Sequence, residues 1–167
     1  MATKVLFLDR DGTLIEEPDD KQVDSLAKVR LMPGVIPALL SFKAAGYEFV
    51  IVSNQDGLGT DAFPRADFDV AHEHMLHLLN AQGIALAAEF FGPHLAEDGC
   101  ACRKPRAGLI HDYLATCDLD RENSAIIGDR ETDLELAANV GLKGFKVASD
   151  RAAAETWADI AHVLLDR

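Results

Sequence analysis

The stretch KVLFLDRDGT, Lys4 to Thr13, decides how the rest of the chain is read. The apolar run after Lys4 is too short for a helix and lacks polar alternation. That is the pattern of a strand in a parallel sheet covered on both faces. The run stops at Asp9, and Asp11 follows two places later, so on extended chain both carboxylates face the same way. Ligands bind beyond the carboxyl ends of such strands. Two carboxylates in one crevice repel each other and push one pKa up. A divalent cation, or a division of labour between nucleophile and proton carrier, removes that difficulty. Gly12 lets the backbone turn or a ligand approach closely, and Thr13 adds a hydroxyl beside the turn.

The same pattern recurs along the chain. Lys4–Leu8, Glu48–Val52, Glu89–Phe91, Ala125–Ile127 and Phe145–Val147 read as strands. Helical patterns lie between them: Pro33 to Gly46, Pro64 to Gly83, Arg106 to Cys117, Thr132 to Val140 and Ala152 to Leu165. This alternation predicts a doubly wound, Rossmann-like α/β three-layer sandwich with a mainly parallel sheet of about five strands. Residues 1–167 are expected to form a single domain without a large cap domain. The loops Ile15–Leu31 and Gly92–Pro105 are long for such a fold, which marks them as candidate functional loops.

Composition narrows the function class. The net charge of −12, from 28 acids against 16 bases with no Lys/Arg cluster, argues against a nucleic-acid partner. Acidity instead suits a small substrate that is cationic or carried with a metal. No apolar run is long enough for a membrane span, and the start reads as strand rather than signal peptide. Three cysteines argue against a disulfide scaffold and for a reducing, cytoplasmic setting. A monomer or weak dimer is expected, since no large apolar stripe stands out.

Three further strand ends supply groups that phosphoryl transfer needs. FVIVSNQDGLGT ends in Ser53-Asn54 and a glycine-rich loop with Gln55; CRKP places Arg103 and Lys104 before a helix; AIIGDRETD ends in Asp129, with Asp133 four residues on. Hydroxyls and backbone N–H groups cradle phosphate oxygens, a lysine offsets developing charge, and a further carboxylate completes an oxygen shell for Mg²⁺.

In this order the four stretches resemble the haloacid dehalogenase superfamily of phosphatases over the whole chain. The resemblance implies that Asp9 is the nucleophile, forming an aspartyl-phosphate, and that Asp11 is the general acid/base. Ser53 and Lys104 would bind the transferring group. Mg²⁺ would sit at Asp9, Asp11 (through its backbone carbonyl) and Asp129, with Asp133 supporting that site or Lys104. Arg10, Thr13, Asn54, Gln55 and Arg103 are candidate substrate contacts.

The strings NQDGLGT, FPRADFD, PHLAEDGCACRKP and GDRETD look more narrowly like the histidinol-phosphate phosphatase domain of histidine biosynthesis. That domain is often fused to a dehydratase, which makes this chain the phosphatase half. The alternative is a heptose 1,7-bisphosphate phosphatase, whose Cys/His loop is longer. Glu17, Asp19, Asp20 and Asp56 are candidates to meet the substrate's ammonium and imidazole groups. His94, Cys100 and Cys102 have N and S donors suited to Zn²⁺, but Gly92 stands where the related phosphatases carry a first cysteine. Glu97, Asp98 or water would then fill the fourth position; otherwise the two thiols are free. His72, His74 and His77 read as a solvated helix face. A phospho-accepting signalling domain also has a five-stranded α/β form with acids and lysine, but its lysine ends the last strand, whereas Lys146 lies within it here.

Overall fold

The computed structural model describes residues 1–166. Five strands, β1 (Lys4–Leu8), β2 (Tyr47–Asn54), β3 (Ala88–Gly92), β4 (Ala125–Gly128) and β5 (Lys143–Lys146), pair in the order β3-β2-β1-β4-β5, all parallel. Five helices connect or follow them: α1 (Val35–Ala44), α2 (Arg65–Ala81), α3 (His111–Thr116), α4 (Glu131–Val140) and α5 (Ala153–Leu165). The fold is the expected α/β Rossmann-like sandwich.

The apolar run of β1 shows why both faces are covered. Leu6 and Leu8 pack with Phe42 of α1, Met75 and Leu79 of α2, and Trp157 and Leu164 of α5. Val5 and Phe7, on the opposite face, pack with Leu136 and Ala137 of α4 and against Tyr113 and Leu114 of α3. Alternate residues thus feed two cores, each contributing burial at ~25 cal/mol per Å² of apolar surface.

The strand order places the switch point beside β1, because the chain leaves β1 towards β2 and returns to its other side as β4. The ladder continues past β1, where the Asp9 N–H donates to the Ile127 carbonyl at 3.0 Å. The Trp157 indole N–H donates to the Thr13 carbonyl at 3.4 Å, tying the turn after β1 to α5. The Ile15–Leu31 loop is closed on itself by an Ile15–Leu31 bridge and buries Val23 and Val29. Among the described residues, no helix is long and apolar enough to cross a membrane.

Most element ends fall within two residues of the sequence reading, and the departures at α3 and β5 have a visible cause. α3 is only His111–Thr116, not Arg106 to Cys117. Gly108 lies against the Ala101 carbonyl, where a Cβ would come within 2.3 Å, so this segment follows the preceding loop instead of coiling. β5 runs Lys143–Lys146, so Lys146 ends the strand instead of lying within it as expected, and Val147 lies beyond it while still donating its N–H to the Gly128 carbonyl at 2.9 Å.

Candidate active site

The ends of β1 and β4, the segment after β3 and the start of α4 bring the acids together. Carboxylate oxygens of Asp9, Asp129 and Asp133 all lie within 4.8 Å of one another. Lys104 Nζ donates to Asp9 Oδ1 at 3.0 Å and to Asp133 Oδ1 at 2.6 Å. The Thr13 hydroxyl lies 3.4 Å from both Asp9 Oδ2 and Asp129 Oδ1. Ser53, Asn54, Asp11, Glu17, Arg130 and Thr132 line the same cleft. Sequence-distant groups therefore share one crevice at the switch point.

Electrostatics sort these acids into roles. Burial alone would raise Asp9, but the charge of Lys104 and hydrogen bonds from Asp129, Lys104 and the Arg10 backbone bring it below the ordinary carboxylate value. The ionised form of Asp9 is thus favoured. Asp129 is pushed up to about 8, first by burial and then by its hydrogen bond to Asp9 and the charge of Asp9. Asp133 is raised by burial and by Asp9, with Lys104 opposing. Burial pushes Lys104 down, but Asp9 and Asp133 outweigh it and hold it above the usual lysine value, so it stays a cation.

Asp129 therefore keeps its proton beside an ionised Asp9, because the two carboxylates cannot easily both ionise side by side. A divalent cation replaces such a proton, and hard oxygen donors are the set that Mg²⁺ prefers. The residues fit the ion. Asp133 is less available to it, because Oδ1 accepts from Lys104 and Oδ2 accepts from the Arg130 N–H at 3.2 Å. The Asp11 side chain stands outside the three-acid group: Oδ1 accepts from Arg10 Nε at 2.8 Å and Oδ2 from Gln55 Nε2 at 3.0 Å.

Gly12 makes the approach possible. Its φ is +81°, and a Cβ there would come within 2.4 Å of Asp129 Oδ2. Gly12→Ala should thus displace the Asp129 carboxylate and strain the turn, lowering phosphate release by about 10²-fold; wild-type turnover in this variant would refute the placement.

Of the substrate contacts expected from the sequence, Arg10 and Gln55 are buried in the scaffold, whereas Asn54 lines the cleft and Arg103 a neighbouring cavity. Arg10 is fully buried, so it is corrected from substrate contact to internal ion-pair partner of Asp11. Gln55 is also buried and bridges Asp11 to the Ser53 hydroxyl, 2.9 Å away. Asn54 latches the Lys104 backbone, accepting from its N–H at 3.0 Å and donating to its carbonyl at 3.4 Å. Arg103 pairs with Asp56 at 2.7 Å and, with Arg106, lines a neighbouring cavity of about 410 Å³. Glu17 accepts from Arg130 Nη2 at 2.5 Å, an ion pair at the cleft that the sequence did not reveal.

The cysteine loop also departs from expectation. Cys100 and Cys102 are disulfide-bonded, which corrects the reading of two free thiols. His94 Nδ1 lies 3.0 Å from Cys102 Sγ, so the three expected zinc ligands are together. As bonded, the sulfurs are not thiolates and the group does not fit Zn²⁺, which takes ionised sulfur. Neither Glu97 nor Asp98 joins it among the described residues. His72, read as solvated, is buried and lies 2.8 Å from Glu89. Its place depends on how α2 packs on β3, which no spacing along α2 encodes.

A protein-family model described as HAD-hydrolase-like matches residues 101–165. The histidine biosynthesis bifunctional protein HisB of Legionella pneumophila (strain Lens) is 48% identical over 163 residues, covering 98% of this chain and 45% of the relative. HisB of Campylobacter jejuni subsp. doylei is 46% identical over 166 residues, covering 99% of this chain and 46% of that protein. The chain thus spans about half the length of the curated relatives it matches. Among solved structures, the D,D-heptose 1,7-bisphosphate phosphatase of B. bronchiseptica, complexed with magnesium and phosphate, superposes with a TM-score of 0.84. It is 30% identical, with 98% of this chain and 99% of that chain covered.

Proposed function

Because this chain belongs to the haloacid dehalogenase-like hydrolases, we propose that it is a Mg²⁺-dependent phosphomonoesterase that converts L-histidinol phosphate to L-histidinol and phosphate. The observation that carries the chemistry is Lys104, which holds an ionised Asp9 while a second acid, Asp129, keeps its proton beside it. The substrate assignment rests on 46–48% identity to HisB proteins along nearly the whole chain.

The reaction follows from these positions. An Asp9 carboxylate oxygen attacks phosphorus, and the ester oxygen departs with its bonding pair. Asp11 gives that oxygen a proton, so the product leaves as an alcohol. Lys104, the Ser53 hydroxyl and backbone N–H groups hold the transferring oxygens. Asp11, now a carboxylate, takes a proton from water, which attacks phosphorus and frees Asp9 and phosphate. Asp9, the Asp11 backbone carbonyl and Asp129 would hold Mg²⁺, whose charge would offset that of the phosphate oxygens. Asp133 keeps Lys104 aimed at Asp9.

Zinc is a secondary proposal, restricted to the reduced form in which His94 and two thiolates can act together. The same proposal includes a single domain, a small-molecule partner and a cytoplasmic setting. The bifunctional character of the relatives named HisB fits a second activity, such as the expected dehydratase, in the length they have beyond this match.

Phosphate release with added Mg²⁺ should favour histidinol phosphate over heptose 1,7-bisphosphate by at least about tenfold in kcat/KM, roughly 1.4 kcal/mol of transition-state binding. A reversed preference would assign the heptose substrate that names the structural neighbour. Release beyond one equivalent of phosphate per chain excludes a signalling domain that keeps its phosphoryl group.

A further inference from the structure

We propose that His72 and Glu89 are positioning residues that clamp Arg10, and through it set the orientation of the Asp11 carboxylate. The proposal rests on Asp11 being the proton carrier. Arg10 lies two residues past the end of β1, His72 lies on α2 and Glu89 on the edge strand β3. Arg10 Nε donates to Asp11 Oδ1 at 2.8 Å, and Arg10 Nη1 lies 3.2 Å from His72 Nδ1. Arginine has only donors, so Nδ1 must be the acceptor in this contact. The imidazole proton then sits on Nε2, which donates to Glu89 Oε2 at 2.8 Å. Glu89 thereby fixes the tautomer that can receive Arg10.

The rings complete the clamp. His72 stacks on Phe68, centroids 5.3 Å apart and planes 10° from parallel, and meets the edge of Phe91 at 5.0 Å. The Arg10 guanidinium lies 4.6 Å from the Phe68 centroid. Both long groups are thus held in one orientation without access to water.

A merely structural role is a poor account of this arrangement. Taking an arginine and a carboxylate out of water is costly, and apolar residues of similar volume generally serve a core as well or better. The Arg10 ion pair, moreover, ends on Asp11. What the network supplies is angular control of one carboxylate, with Gln55 Nε2 fixing the other oxygen. Catalytic groups need such control to within about 0.5 Å.

The test compares His72→Phe, His72→Asn, Glu89→Leu and Asp11→Asn on histidinol phosphate and on p-nitrophenyl phosphate. The aryl ester leaves as a stable anion and needs no proton, so a fault in proton delivery shows in kcat/KM for the alkyl ester only. His72→Phe fills the ring space but removes the acceptor. It should lose about tenfold or more on histidinol phosphate and less than about threefold on the aryl ester. His72→Asn restores an oxygen acceptor near the Nδ1 position and should stay within about threefold of wild type on both. If His72→Phe does not fold, Glu89→Leu carries the same expectation, since it frees the tautomer from a partly exposed position. Equal losses on both esters, or no loss, would overturn the proposal. Asp11→Asn separates the two layers: its loss without a His72→Phe loss removes the clamp alone, whereas wild-type kcat/KM in Asp11→Asn removes the proton-carrier role and the clamp with it.

Discussion

Asp9→Asn abolishes phosphate release, by on the order of 10⁴-fold or more, without unfolding the chain. The amide has nearly the carboxylate's size, and its oxygen can still accept from Lys104 Nζ, so packing survives. It cannot form an acyl phosphate at a useful rate, because it lacks the ionised oxygen that Lys104 maintains at this position. The second half of the prediction concerns the metal. Wild-type protein should gain about 2.7 kcal/mol when Mg²⁺ is present at a hundredfold its dissociation constant, which is roughly 5–10 °C in Tm for a chain of this size. Asp9→Asn removes one ligand charge and the repulsion that raises Asp129. It should therefore show little of that Mg²⁺-dependent rise, while melting in EDTA no lower than wild type by more than about 2 °C. Melts with EDTA and with Mg²⁺, beside a phosphate-release assay, check both halves. Retained turnover would remove the nucleophile. Retained turnover together with an undiminished Mg²⁺ response would remove the site.

The parts of this site that the sequence makes legible are those encoded over a few residues. KVLFLDRDGT shows its strand because each residue faces a core, and it shows its acid pair because extended chain has a period of two. Gly128 and Asp129 are legible for the same reason at the end of β4. Lys104 is harder, because its approach to Asp9 depends on the loop after β3 returning over the sheet. Arg10 misleads: set between the two acids proposed to be catalytic, it reads as a ligand contact, yet the chain just past β1 turns its side chain fully inward. His72 was hidden by its neighbours, because i, i+3 spacing pairs His74 with His77 and says nothing about contact with β3. The cysteines gave donor type and spacing, but neither reports whether sulfur is bonded to sulfur or free for a metal. Short-range chemistry is written along the chain, and the partner of each buried charge is written only in the packing.

Lys104→Met should both cut turnover and destabilise the protein, and the pH dependence separates the two causes. Methionine follows the lysine stem into the same buried slot, so little packing is lost. The charge is lost, and Asp9 and Asp133 remain buried without their cation. Breaking a buried pair from one side costs about 3–5 kcal/mol. Turnover should fall by about 10²–10³-fold, the usual effect of removing one group that stabilises transition-state charge. The sign of the pH effect follows from the carboxylates. Lys104 holds Asp9 below its ordinary value, and without it burial is opposed by less, so Asp9 rises above its unfolded value and Asp133, already raised, goes higher still. A raised carboxyl contributes stability that is present at low pH and lost as pH climbs through its folded pKa. The variant's deficit against wild type should thus be largest near pH 8 and shrink as pH falls towards about 5, where protonation supplies what the lysine no longer does. Urea unfolding in EDTA at both pH values measures it. A deficit independent of pH would mean that Lys104 serves packing rather than charge, and a variant with wild-type turnover would mean that phosphate is held elsewhere.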